Sequence, residues 1–214
     1  MNEVLKLASK GSHKLRIVFL GPDGAGKSSV IYGLIDRWDL GGRTVKLCHL
    51  KPQLMMPQLR DNPNSIDTDP HGKSPRGVFL SLAKIGIWLV EEWYVSFFRV
   101  KKGTVLIYDR YYHDLLVDPK RYRFGAPLWI ARLVGKLMPR PDLWILMLAP
   151  AEVLQARKQE VSLAESELEC RTYLAFVRKQ RKYVIVDASQ PLDKVIADAE
   201  HAIRAAVLNG DNRG

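Results

Sequence analysis

One lysine, two adjacent hydroxyls and three glycines fall within nine residues, in "GPDGAGKSS" at 21–29. Gly21, Gly26, Lys27 and Ser28 fit G-x-x-x-x-G-K-[ST], a spacing that wraps successive backbone N–H groups around phosphate oxygens. In that pattern the lysine reaches the β and γ phosphates, and the hydroxyl of Ser28 takes Mg2+. Asp23, Gly24, Ala25 and Ser29 complete the same cradle, so a polyphosphate with Mg2+ is the expected occupant. A second set, "VLIYDRYYHD", places Asp109 just after an apolar run, where a carboxylate meets Mg2+ or its waters. Arg110 beside it is a planar, permanently charged fork for a phosphate, although a loop salt bridge explains the same pair.

Two further clusters carry charge. Arg157, Lys158 and Arg171 lie in "RKQEVSLAESELECRTYLAFVRKQRK" (157–182). Phosphoryl transfer spreads negative charge over equatorial oxygens, and arginines on a closing flap stabilise it while excluding water. A solvated helix face is the plainer account of the same letters. "DPKRYRFG" (118–125) interleaves Lys120, Arg121 and Arg123 with Tyr122 and Phe124, a mixture suited to a flat or sugar-like anionic ligand. An exposed loop anchored by its aromatics fits equally well. Arg121, Arg123, Arg110 and Tyr111 are the candidates for acceptor recognition.

These side chains need elements to hold them, and strand-like and helix-like segments alternate along the chain. "LRIVFL" (15–20) leads into the phosphate loop as a buried strand. A helix beginning near Ser28 leads out, with Val30, Ile31, Leu34, Ile35 and Trp38 on one face and its positive end toward the anion. "TVKLCHL", "TVLIYDR", "PDLWILML" and "YVIVD" supply four more strands. "PLWIARLVGKLM", "PAEVLQARKQE" and "PLDKVIADAEHAIRAAVL" read as helices, and the tail "NGDNRG" as frayed. Residues 51–77 hold five of the 12 prolines and little periodicity, which predicts a long loop. The expected fold is α/β: a five-stranded parallel sheet with helices on both faces, Asp109 and Lys27 converging at its carboxyl edge. With no repeat and no linker, 1–214 reads as one domain with its core at 15–205.

The apolar stretch 78–98, "VFLSLAKIGIWLVEEWYVSFF", has nearly the length of a membrane span. Lys84, Glu91 and Glu92 would each cost several kcal/mol inside a bilayer, so it predicts a long helix buried on most faces, with surplus apolar surface suited to a dimer interface. The formal charge of +10 calls for a polyphosphate substrate, an anionic membrane surface, or solubility alone. Nucleic acid is not expected, because no zinc-finger, RRM or basic-zipper pattern accompanies the charge. "MNEVLKLASKGSHKLR" has no apolar h-region, and Cys48 and Cys170 stand far apart, so a reducing cytoplasm is expected.

Taken in order, "GPDGAGKSS", "DRYYHD", "PDLWILMLAPAEVLQARKQE" and "YVIVDAS" resemble the thymidylate kinase family over about residues 15–205. The resemblance implies a P-loop nucleoside-monophosphate-kinase fold, ATP and Mg2+ on the donor side, a mobile lid at about 157–168, and often a homodimer. It further implies that Asp23 faces the acceptor, that Arg110 holds acceptor phosphate near the γ-phosphate, and that the Asp187–Ala188 turn borders the adenine. The acceptor side departs from the family. In place of a Pro-Gly motif, a late helix arginine and a Ser-x-x-Tyr-Gln element stand "HLKPQLMMP", "EEWYVSFFRVKKG" and "HDLLVDPKRYRFG". "DPHGKSPR" and "DRYYHDLLVDPKRYRFG" are more similar to the thymidylate-kinase-like proteins of bacterial surface-polysaccharide synthesis.

The expected function is an ATP- and Mg-dependent phosphotransferase acting on a dTMP-like nucleoside monophosphate, with a sugar or glycan phosphate acceptor as the alternative. A non-catalytic nucleotide switch is the second alternative, weakened by the absence of N-K-x-D and of D-x-x-G after the metal-binding strand. A membrane-surface module is compatible with either activity.

Overall fold

The computed structural model describes residues 14–37, 44–49, 74–157 and 162–211. Trp38, Lys158, part of the expected lid and most of the 51–77 loop lie outside them. The described residues form two compact units: those within 14–48, 100–110 and 140–211, and those within 74–99 and 111–139.

The first unit is built on a five-stranded parallel sheet. Its strands are β1 (Leu15–Leu20), β2 (Val45–His49), β3 (Val105–Asp109), β4 (Leu143–Leu148) and β5 (Tyr183–Asp187), in the order β2-β3-β1-β4-β5. β1 pairs with β3 from Leu15↔Val105 to Phe19↔Asp109, and with β4 from Ile17↔Leu143 to Leu20↔Leu146. Every one of these neighbours is parallel, which forces long crossover connections and explains why strands alternate with helices along the chain. Successive strand residues face opposite sides. Ile17, Phe19, Ile107, Ile145 and Met147 therefore share one face. They pack with Val30, Ile31 and Leu34 of α1 (Lys27–Arg37). Ile35 falls at the margin of that helix face, about a third exposed.

The opposite face carries Trp144, whose ring meets Phe176 edge-on at 5.4 Å. Phe176 belongs to the helix Leu163–Val177, opened by a reciprocal cap in which Ser162 Oγ accepts from Glu165 N and the Glu165 carboxylate accepts from Ser162 N. Helices thus cover both faces. The closing helix, Leu192–Asp211, runs into the tail whose composition predicts fraying, and adds Val195, Ile196, Ala199 and Ile203 to the core.

In the second unit, α2 (Val78–Tyr94) continues into a wider π-helical turn, Val95–Arg99. It is followed by α3 (Asp114–Val117) and α4 (Leu128–Leu137). With these named, the first unit's remaining helices are α5 (Ala151–Arg157), α6 (Leu163–Val177) and α7 (Leu192–Asp211). The short α3 is too brief to leave a periodic signature in sequence.

The expectation that 78–98 is buried on most faces is corrected here. Only Ser81, Ile85 and Trp88 of α2 are buried, while Phe79 is 90% exposed. Apolar residues encircle this helix but neighbours pack one side of it, so periodicity gave no warning. Lys84 finds compensation: its ammonium donates to Tyr122 O at 3.2 Å and sits 4.7 Å from the Trp88 ring centroid.

Candidate functional site

In the order β2-β3-β1-β4-β5 the chain leaves β1 toward one edge and β3 toward the other. The carboxyl ends of β1 and β3 are therefore a switch point, where open parallel sheets collect ligands. The register Phe19↔Asp109 sets the end of β3 beside the start of the glycine loop. Residues 81 and 87 positions apart in sequence come together there. Ser28 Oγ donates to Asp109 Oδ2 at 2.7 Å, and Arg110 pairs with Asp23 at 2.7 Å.

Lys27 is the buried cation of the loop. Its ammonium folds back to donate to Gly21 O at 2.7 Å and Pro22 O at 2.8 Å. Two carbonyls offset the loss of water around the charge. Because α1 begins at Lys27, its first N–H groups have no acceptor in their own helix, and the positive end of the helix dipole lies at the loop. Ala25 is buried and donates to Pro22 O, which tightens the bend, while Ser28 and Ser29 are exposed on the first turn.

Two glycines explain why the loop needs this residue type. Gly26 has φ +76°, and a Cβ built there meets nothing within 4 Å, so the space over the loop is open. Gly24 has φ +78°, and a Cβ there would stand 2.7 Å from the carbonyl of Leu154, so the loop lies directly on α5. Arg110 adopts φ +75°, a conformation that β-carbon sterics disfavour and that recurs where a side chain must be aimed. Its side chain and that of Asp23 are 20% and 8% exposed.

The donor set fits a nucleoside triphosphate with its metal. The N-terminal turn of α1, a buried ammonium and open space over Gly26 suit polyphosphate. One hydroxyl and one carboxylate, already 2.7 Å apart, match the sparse protein coordination of Mg2+, which keeps waters and substrate phosphates as its other ligands. Among the described residues no group of three or more His, Cys, Asp or Glu could hold a metal by itself.

Arg157 at the end of α5 donates to Ala188 O at 2.7 Å, joining the start of the expected lid to the turn after β5. In that turn the Asp187 carboxylate accepts from the Ser189 hydroxyl and N–H and from Gln190 Nε2. The Ser189 hydroxyl first, then Gln190, hold its pKa down at about 2. The turn is thereby fixed by a charged carboxylate. Arg171 pairs with Glu167 at 3.1 Å on its own helix, an exposed i, i+4 pair of the plain solvated kind.

Of the acceptor candidates, Asp23 and Arg110 belong to the first unit, and Tyr111, Arg121 and Arg123 to the second. Tyr111 is fully buried, with its hydroxyl donating to Pro139 O at 2.6 Å and its ring stacked on His113. Arg123 donates to Ser74 O at 3.0 Å, and its backbone accepts from Arg76 N. The Arg121 backbone donates to the Asp118 carboxylate. Phe124 is buried, and Tyr122 donates to Asp114 at 2.7 Å, so the aromatics of 118–125 anchor their loop.

Sequence reasoning did not anticipate the carbonyls of Gly21, Pro22, Leu154 and Ala188. Backbone acceptors carry no residue signature, so nothing in the letters marks them. A scan against protein-family models and a search of curated proteins find no match to this chain.

Proposed function

We infer that the chain is an ATP- and Mg-dependent phosphotransferase of the thymidylate kinase type, carrying the γ-phosphate to a nucleoside monophosphate. The observation that supports this most is the convergence of Lys27, Ser28–Asp109 and Asp23–Arg110 at the carboxyl ends of β1 and β3. Accidental glycine turns do not bring a buried lysine, a metal-type hydroxyl–carboxylate pair and an arginine to one edge of a parallel sheet.

The roles follow from the chemistry of each group. Lys27 exchanges its two carbonyl partners for β- and γ-phosphate oxygens, so the ammonium is never without a partner. The loop amides and the first turn of α1 hold the remaining phosphate charge. Ser28 and Asp109 would hold Mg2+, which would supply neutralisation of the negative charge that develops during transfer. Arg110, kept in place by Asp23, presents its guanidinium to the acceptor phosphate. An acceptor phosphate oxygen is anionic at neutral pH and needs no strong base. Arg157, bonded to Ala188 O, secures the turn that borders the nucleobase, and with the lid's first residues it is the arginine best placed to follow lid closure. Arg171 has no part in this scheme.

The test is a coupled assay with ATP and Mg2+ across nucleoside monophosphates and phosphosugars, with Lys27→Ala as control. Turnover with at least one phosphate acceptor, lost in Lys27→Ala, is the expected result. Turnover intact in that variant would overturn the assignment. ATP binding without acceleration by any acceptor would favour the nucleotide-switch alternative, and selective use of phosphosugars would move the acceptor to the glycan class.

A further inference from the structure

In the second unit α2 presents an apolar stripe that the site does not use. Phe79, Ala83, Gly86, Val90, Trp93 and Phe97 recur at i, i+4, i+7, i+11, i+14 and i+18, one side of a helix, and all six are exposed. The wider turn at Val95–Arg99 seats Phe97 and Phe98 side by side. Trp93 stacks on Phe97 at 5.2 Å, and Tyr94 lies against Phe98 at 5.4 Å. Phe97 is 67% and Phe98 77% exposed even so.

The second helix, α4, extends the stripe. Gly125 N donates to Ser81 Oγ, and Trp93 Nε1 donates to Leu137 O, both joining positions 44 apart. The segment 125–137 therefore runs alongside 81–93 in the same direction. Trp129, Leu133 and Leu137, at i, i+4 and i+8 on α4, are all exposed. Arg132 and Lys136 are exposed next to them, and Arg99 is exposed at the end of the π-helical turn.

We propose that this face docks on an anionic lipid bilayer, with α2 and α4 lying in the plane of the interface. Trp, Tyr and Phe rings beside exposed Arg and Lys are the side chains that settle at the headgroup boundary. The cations meet lipid phosphates, and the net charge of +10 draws the chain to a negative surface. Among the described residues no helix is long and apolar enough to cross a membrane, so contact is from one side. The charges favour a bilayer over a second copy. A two-fold contact through this face would bring Arg99, Arg132 and Lys136 of both copies into one interface, where like charges accumulate, whereas lipid phosphates neutralise them.

The experiment is co-sedimentation of the full chain with vesicles of phosphatidylcholine alone, and of three parts phosphatidylcholine to one part phosphatidylglycerol, at low and high salt. Pelleting is expected with the anionic vesicles at low salt and is expected to fall with added salt. The doubly substituted Phe97→Ser, Phe98→Ser chain should bind at least about tenfold more weakly, through lost apolar burial. Arg132→Glu with Lys136→Glu should weaken binding by at least about tenfold through lost attraction. All four positions are exposed, so matched circular dichroism spectra are expected, and the comparison of lipids needs no substitution. Absence of pelleting by the unaltered chain overturns the proposal, as does binding that neither pair of substitutions alters. A dimer in sedimentation velocity that Phe97→Ser, Phe98→Ser dissolves, with no vesicle binding, assigns the face to a second copy and overturns it too. Phosphoryl transfer in solution is a separate readout, so failure here leaves the proposed chemistry standing, and the reverse.

Discussion

Replacing His113 by Gln should flatten the dependence of stability on pH in mildly acid solution. The imidazole is enclosed by Tyr111, stacked at 5.7 Å, by the edge of Tyr112 at 5.9 Å, and by Gly135, whose missing Cβ would lie 3.6 Å from His113 Nε2. Burial disfavours the imidazolium and lowers the pKa from 6.5 to about 4, while a hydrogen bond with the Gly135 backbone pulls weakly the other way. The unfolded chain takes up a proton as pH falls below 6.5, and the folded chain does so only near 4. Stability from this residue is thus complete above 6.5 and is lost as pH falls toward 4. At ~1.36 kcal/mol per pKa unit the loss comes to about 3 kcal/mol. Urea unfolding followed by circular dichroism, at about pH 7 and about pH 4.5, measures it. Carboxylates titrate alike in both proteins and cancel from the difference. Because about pH 4.5 lies above the folded value of about 4, the unaltered chain should lose about 2 kcal/mol more than His113→Gln over this interval, most of the full loss. Equal losses, or a His113 imidazole resonance titrating near its ordinary value, would refute the reasoning.

Gly24→Ala and Gly26→Ala should separate steric from conformational cost. Both positions have positive φ, but only Gly24 faces a backbone carbonyl at 2.7 Å, so Gly24→Ala should lower Tm further, and equal shifts would contradict the packing of the loop on α5. Ser162→Ala removes one half of the reciprocal cap on α6 and should cost about 1 kcal/mol, read as a shift of the urea midpoint at unchanged slope. Arg171→Ala should leave turnover within about twofold, because its partner is an exposed helix neighbour. Arg157→Ala should lower kcat/KM by about tenfold or more, as expected when one charge-assisted hydrogen bond is lost. The opposite ranking would restore Arg171 to the site.

The letters alone determined the alternation of strands and helices and the phosphate-loop spacing, because both are local. Strand β5 is Tyr183–Asp187 as its apolar run predicts, and the loop glycines take the positive φ that their residue type permits. The tertiary structure decided which distant groups meet. Ser28 finds Asp109 and Asp23 finds Arg110 only because β1 lies beside β3, a neighbour relation that no periodicity encodes. The same holds for what became of Tyr111, Arg123 and Arg171. Side-chain type says that a group is able to bind a ligand, but packing fixes whether its polar atoms are already held by Pro139, Ser74 and Glu167. The exposed stripe of α2 makes the same point from the apolar side. Hydrophobicity is a property of residues, whereas burial depends on whether another element arrives to cover them.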